Sequence, residues 1–153
     1  MKVVARPASS ADTEHLTALR RRAKSEVADQ RGGSLLVRAE LAGAEDRVTG
    51  TGSRLVAVVE IEDAVVGYLE AELADLEGGG QVCRVSSFYV EPEAREVGAG
   101  EALMEHAKDW AAERHAEGID VLALPGAREV KNFFESAGFA ARLIVMHRRL
   151  EGQ

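Results

Sequence analysis

Three apolar runs, "RLVAVVEIE" (54–62), "AVVGYLEAELADLE" (64–77) and "QVCRVSSFYVEP" (81–92), lie almost end to end and leave the chain little choice of topology. Glu62 and Asp63 mark the first connection, and "GGG" at 78–80 forms the second. A parallel pairing would need a crossover of a dozen residues or more, whereas connections this short close antiparallel hairpins. The runs are therefore expected to form a three-stranded meander, and the remaining elements must cover its faces.

The flanking segments supply that cover. "KVVARPA" reads as a short strand, and "SSADTEHLTALRRRAKSEVADQ" as a helix capped by Ser or Asp, with Leu16, Leu19, Ala23 and Val27 at helical spacing. Gly32 and Gly33 stop it, "SLLVRAELAG" gives a second helix ending at Gly43, and "GAEDRVTGTGS" (43–53) is a polar loop. After the meander, residues 98–117 place Ala102, Leu103, Ala107, Trp110 and Ala111 on one helical face. Then follow a short strand in "DVLALP", a helix in "AREVKNFFESAG" and a terminal strand or strand pair in "FAARLIVMHRRL". The fold class is α/β (α+β): a mixed, mostly antiparallel central sheet flanked by helices, in the order β-α-α-β-β-β-α-β-α-β. One domain is expected over residues 1–150, with 151–153 as a free tail.

Charge and cysteine content narrow the classes of partner. The 26 Asp and Glu against 19 Lys and Arg disfavour a broad footprint for nucleic acid or anionic membrane. No apolar run approaches the roughly 20 residues of a membrane span. Cys83 is the single cysteine and reads as core packing, and the four histidines are dispersed without metal-ligand spacing, so no metal is expected. A cytoplasmic location is the default for such a chain.

The junction "EPEAREVGAGEAL" (91–103) carries the chemistry. A helix beginning near Gly98 exposes N–H groups without intrahelical partners at the positive end of its dipole. Gly98 and Gly100 leave room for close approach, and Arg95 adds a forked cationic donor, a combination suited to a pyrophosphate. A strand-to-helix turn that needs glycine only for its backbone conformation would use the same residues. Two familiar phosphate loops are excluded by residue type. Gly100 is followed by Glu101 and Ala102, not Lys-Ser/Thr, and Leu103 replaces the third small residue of the dinucleotide fingerprint.

"VEPEAREVGAGEALMEHA" resembles the acetyl-CoA signature of the GCN5-related N-acetyltransferases through Val90, Pro92, Arg95, Gly98, Gly100 and Leu103. "FFESAGF" is similar to the family's second signature through Phe133, Phe134, Gly138 and Phe139. The similarity is specific over 82–140, and the order of elements extends it along the chain.

The resemblance implies an enzyme that transfers an acetyl group from acetyl-CoA, as cosubstrate, to a primary amine of a small molecule, peptide or protein. It implies that Phe88, Tyr89 and Val90 pair with pantetheine by strand addition. Arg95, Glu96, Val97, Gly98, Ala99, Gly100 and Glu101 would surround the pyrophosphate. Lys131 and Phe134 complete the set of cofactor-binding candidates. The family often has a tyrosine at the position of Phe134 and an acid at that of Ser86, so Tyr89 becomes the candidate proton donor, and Glu70 and Glu72 the candidate bases. Glu26, Asp29 and Glu40 could attract an amine, and acceptor recognition is expected over about 24–53 and 142–148. A homodimer is compatible with this reading. A non-catalytic acyl-CoA-binding regulatory domain is the alternative.

Overall fold

A computed structural model describes residues 1–40 and 48–151. Strands β1 (Val3–Pro7), β2 (Arg54–Ile61), β3 (Ala64–Asp75), β4 (Gln81–Val90) and β5 (Ile119–Val121) form one sheet in sequence order. The first three pairings are antiparallel, and β4 with β5 is parallel. Helices α1 (Thr13–Ala28), α2 (Gly33–Glu40), α3 (Ala99–Glu113) and α4 (Arg128–Ser136) complete the described elements. The expected meander is present. Its first turn consists of Glu62 and Asp63 with φ of 48° and 71°, the left-handed pair that lets a two-residue loop follow the twist of its strands.

Strand alternation divides the core into two layers. Leu55, Ala57 and Val59 of β2, Leu69 and Ala71 of β3, and Cys83 and Val85 of β4 pack with Leu103, Met104, Ala107 and Trp110 of α3. On the opposite face, Val56, Val58 and Tyr68 pack with Leu16, Leu19 and Ala23 of α1. One irregularity in β4 changes this arrangement. Glu70 pairs with Ser87 and Ala71 with Val85, so Ser86 is an extra residue, a β-bulge. Before it the odd-numbered residues of β4 face α3. After it Phe88 and Val90 do, while Tyr89 turns to the α1 layer.

Some boundaries differ from the sequence expectation. The second helix ends its described part at Glu40, and residues 41–47, which include the start of the expected loop at 43–53, lie outside the described residues. β5 is confined to Ile119–Val121 instead of extending through 125. The terminal strand expected in "FAARLIVMHRRL" is not formed: residues 140–150 are irregular and exposed. A strand requires a partner's N–H and C=O groups, and β5 offers a ladder of only three residues.

The start of α1 is tied to the sheet by a buried carboxylate. The Asp12 side chain accepts from Arg6 Nη1 at 2.8 Å, Arg6 Nη2 at 2.9 Å and the Ser9 amide at 2.8 Å, while Arg6 Nε donates to Glu60 at 2.8 Å. The Arg6 hydrogen bonds hold the Asp12 carboxyl down at about 2, against an ordinary 3.8. Because the folded value lies below the unfolded one, this stabilisation is complete above the unfolded pKa and disappears as the pH falls through the folded one. Arg6 is partly exposed, so the contribution is about 1–2 kcal/mol at neutral pH. Asp12→Asn should lower stability at pH 7 by that amount and weaken the loss of stability between pH 4 and pH 2. Urea unfolding of both proteins across that range checks this, and parallel pH profiles would contradict it.

Candidate functional site

The bulge sits where the sheet opens. β4 pairs with β5 only at Cys83, Arg84 and Val85, so from Ser86 to Val90 its β5-side edge has no strand partner among the described residues. The chain then passes through a short 3-10 turn, Pro92–Ala94, and enters α3. Gly98 immediately precedes the helix with a φ of 91°, and a Cβ built there would meet nothing within 4 Å. It therefore supplies both a left-handed backbone and an open approach. The N–H groups of Ala99, Gly100 and Glu101 have no backbone acceptor among the described residues.

Gly100 has a different task. A Cβ on it would lie 3.2 Å from the Phe133 ring and 3.5 Å from Phe88, so its small size admits an aromatic cluster. Phe88 stacks on Phe133 at 5.7 Å between centroids, Phe133 meets Phe134 edge-on at 5.4 Å, and Phe134 meets Phe139 at 5.5 Å. The two sequence signatures thus touch one another at Gly100 and Phe133, and the rings of α4 pack on Phe88 of β4. Phe134 is buried within the rings. Lys131 lies exposed on α4, Glu96 and Val97 are exposed before α3, and Ala99 is buried in the α3 layer.

The α1 side of the opening is built from ion pairs. Arg95 Nε donates to the Val90 carbonyl at 2.8 Å, its Nη2 pairs with Glu26 at 2.8 Å, and its guanidinium lies 5.4 Å from the centre of the Tyr89 ring. Arg22 pairs with Glu91. Arg95 is therefore directed toward α1, where it fixes the end of β4. Glu70 is buried and pairs with the equally buried Arg20 of α1 at 2.5 Å, so its carboxylate is already engaged. Glu72, two residues along, is exposed. The Tyr68 hydroxyl bonds Ser87 Oγ at 2.6 Å, and burial pushes its pKa up to about 12. Burial also raises Tyr89, whose hydroxyl has no hydrogen-bond partner among the described residues. Cys83 is fully buried and raised by burial to about 11, which fits packing and not nucleophilic chemistry. A groove of about 560 Å³ lined by Pro7, Arg54, His106, Trp110 and Arg114 lies beside the later half of α3, away from its N-terminus.

The acetyltransferase (GNAT) family model matches residues 16–139. The chain belongs to the GNAT acetyltransferase family. Solved structures of this family fold have the same arrangement. An aminoglycoside N-acetyltransferase in complex with CoA is 15% identical with a TM-score of 0.71, over 98% of this chain and 95% of that one. A ribosomal-protein-alanine N-acetyltransferase from Brucella melitensis is 16% identical with a TM-score of 0.71, over 98% and 100%. Glucosamine-6-phosphate N-acetyltransferase from Arabidopsis thaliana is 14% identical with a TM-score of 0.68, over 99% and 100%. At such identities the likeness establishes the fold. No curated protein sequence matches the chain.

Three site features escape a reading of composition and motif alone: Arg20 as the partner of Glu70, Glu26 as the partner of Arg95, and the bulge at Ser86. The bulge had a signal. Cys83, Val85, Phe88 and Val90 keep period two only if one residue is inserted between Val85 and Phe88. The ion pairs had none, since each joins residues at least fifty positions apart. Breaking the buried pair should expose its cost: Arg20→Met removes the cation that the buried Glu70 carboxylate pairs with and should destabilise this GNAT-family chain by about 3 kcal/mol. Adding Glu70→Leu should recover most of that loss. Chemical denaturation of the single and double variants checks both, and additive losses would contradict the pairing.

Proposed function

We propose that this chain is an acetyl-CoA-dependent N-acetyltransferase acting on a primary amine of a small molecule or peptide. One observation carries the reading within the family. The open edge of β4 runs directly into a helix start with unengaged N–H groups and an unobstructed Gly98. Those N–H groups and the helix dipole suit a pyrophosphate, and the strand edge beyond Ser86 suits the peptide-like amides of pantetheine. Bound acetyl-CoA would supply the activated acetyl group, whose transfer forms a C–N bond on the amine and releases the thiol.

The residues divide the remaining work. Arg95 holds the Val90 carbonyl and so fixes the strand end from which an N–H can face the thioester carbonyl. Tyr89 remains protonated because burial raises its pKa, and its hydroxyl is the candidate proton donor to the leaving thiolate. Glu70, held by Arg20, shapes the α1 wall, and exposed Glu72 is the candidate to take the amine's proton, directly or through water. Lys131, exposed on α4, is the remaining candidate for a cofactor phosphate. Phe134 in its ring cluster has no hydroxyl and Ser86 at the bulge has no carboxylate, which favours the second reading, an acyl-CoA-binding regulatory domain.

Acetyl transfer to a panel of amines, peptides and aminoglycosides tests the first reading against the second. Turnover on any member supports the transferase, and CoA binding without turnover supports the regulatory domain. Tyr89→Phe should lower kcat by about 100-fold with CoA affinity unchanged, and an unaltered kcat would remove Tyr89 from the chemistry. Gly98→Asn, which tolerates the left-handed backbone but fills the approach, should weaken CoA binding about 10-fold or more while the protein stays folded. Calorimetric titration checks it, and undiminished affinity would refute the assignment of the loop.

A further inference from the structure

Beyond the bulge, Ser87 and Tyr89 of β4 face the α1 layer, and the chemistry above uses only Tyr89. Ser87 is half-buried beside the opening. Its cross-strand neighbour Glu70 is paired with Arg20, and its Oγ lies 2.6 Å from the hydroxyl of Tyr68. Tyr68 is 1% exposed, and the Arg20 guanidinium lies 5.9 Å from the centre of its ring. Arg20, Glu70 and Tyr68 are all buried, so this polar group reaches the opening at Ser87.

The direction of the Tyr68–Ser87 bond follows from satisfaction. A buried phenol must give its proton to an acceptor, and Ser87 Oγ is the one hydrogen-bond partner of the Tyr68 hydroxyl among the described residues. Tyr68 is therefore the donor, and burial, which pushes its pKa up to about 12, keeps the proton there. Ser87 accepts through its oxygen, and its own proton is turned away from Tyr68 into the opening. The backbone places a second donor beside it. The Glu91 amide donates to Val66 of β3. Successive N–H groups of a strand point to opposite edges, so the amides of Val90 and Phe88 point away from β3, to the edge that β5 leaves open. The Phe88 N–H belongs to the peptide that follows Ser87. One donor thus lies in the plane of the sheet and its neighbour on the α1 face. The α3 face at this level is filled by the rings of Phe88, Phe133 and Phe134, which leaves the α1 face for an incoming amine.

Resting on the acetyltransferase reading, we propose that Ser87 is a catalytic residue whose hydroxyl, together with the Phe88 N–H, binds the thioester oxygen that becomes negative when the amine attacks. The amine nitrogen forms its bond to the acetyl carbon, and the carbonyl electron pair moves onto oxygen. The two donors hold that oxyanion by hydrogen bonds and give up no proton. As the pair returns, the C–S bond breaks and the sulfur leaves with its electrons, to be protonated by the separate donor assigned to Tyr89, while the amine's proton goes to Glu72 or water. Tyr68 is a positioning residue: it holds the Ser87 oxygen from behind, so the hydroxyl is oriented before charge develops.

Release of the CoA thiol, followed with a chromogenic disulfide and the panel amine that wild type acetylates fastest, tests the assignment. Ser87→Ala should lower kcat about 100-fold, with the KM for acetyl-CoA and the calorimetric affinity for CoA unchanged. Tyr68→Phe should lower kcat about 10-fold and add nothing to Ser87→Ala in the double variant. The double variant also separates chemistry from packing. Ser87→Ala alone leaves the Tyr68 hydroxyl buried without an acceptor, whereas Tyr68→Phe/Ser87→Ala removes both partners, so its urea midpoint should return toward wild type while kcat stays low. A wild-type kcat in Ser87→Ala, a kcat that recovers with stability in the double variant, or additive losses would overturn the proposal and leave the transferase reading standing. A wild-type chain that binds CoA and acetylates no amine would overturn that reading and this assignment with it.

Discussion

One extra residue in β4 determines how the two halves of the molecule meet. Ser86 shifts the strand's alternation, so that Phe88 and Val90 continue the α3 layer begun by Cys83 and Val85, and Tyr89 is delivered to α1. Without the insertion, Phe88 would face α1 and its contacts with Phe133 and Phe134 could not form. The same irregularity marks the point at which β4 parts from β5. A bulge bends and twists its strand, so separation is the expected mechanical consequence. The opening, the aromatic cluster and the position of Tyr89 thus share one cause.

The walls of that opening are held by two different kinds of force. On the α3–α4 side the four phenylalanines interlock, and Gly100 is small so that Phe133 can approach. On the α1 side, ion pairs reach across the sheet from Arg20 to Glu70 and from Glu26 to Arg95. Apolar packing tolerates no water, whereas the ion pairs keep charge on the α1 wall of the opening. The opening is consequently apolar toward the helix that carries the second signature and polar toward α1, which carries Arg20 and Glu26.

Much of the fold was legible because its signals are local. Connections of two and three residues dictated the meander, and the face of α3 was visible in Leu103, Ala107 and Trp110. Of the site, the glycine loop and the paired phenylalanines were legible as residues, but their relation was not. Gly98 and Gly100 look alike in sequence, and only the structure separates one that leaves space open from one that lets a ring in. The acids at 70 and 72 likewise look equivalent, yet one is buried against an arginine and the other is exposed. Such differences depend on which distant residue arrives opposite, which no periodicity encodes.

The sequence alone therefore determined the pairing order of the central strands, the helix that starts at a glycine junction and the acetyltransferase family. Each depends on steric or hydrogen-bonding rules that act over a few residues. Tertiary structure alone decided that Arg95 clasps Val90 and Glu26, that Glu70 pairs with Arg20, and that the segment 140–150 forms no strand. Those outcomes depend on the space and charge left after every other element has packed. A strand-like sequence becomes a strand only where an edge is long enough to receive it.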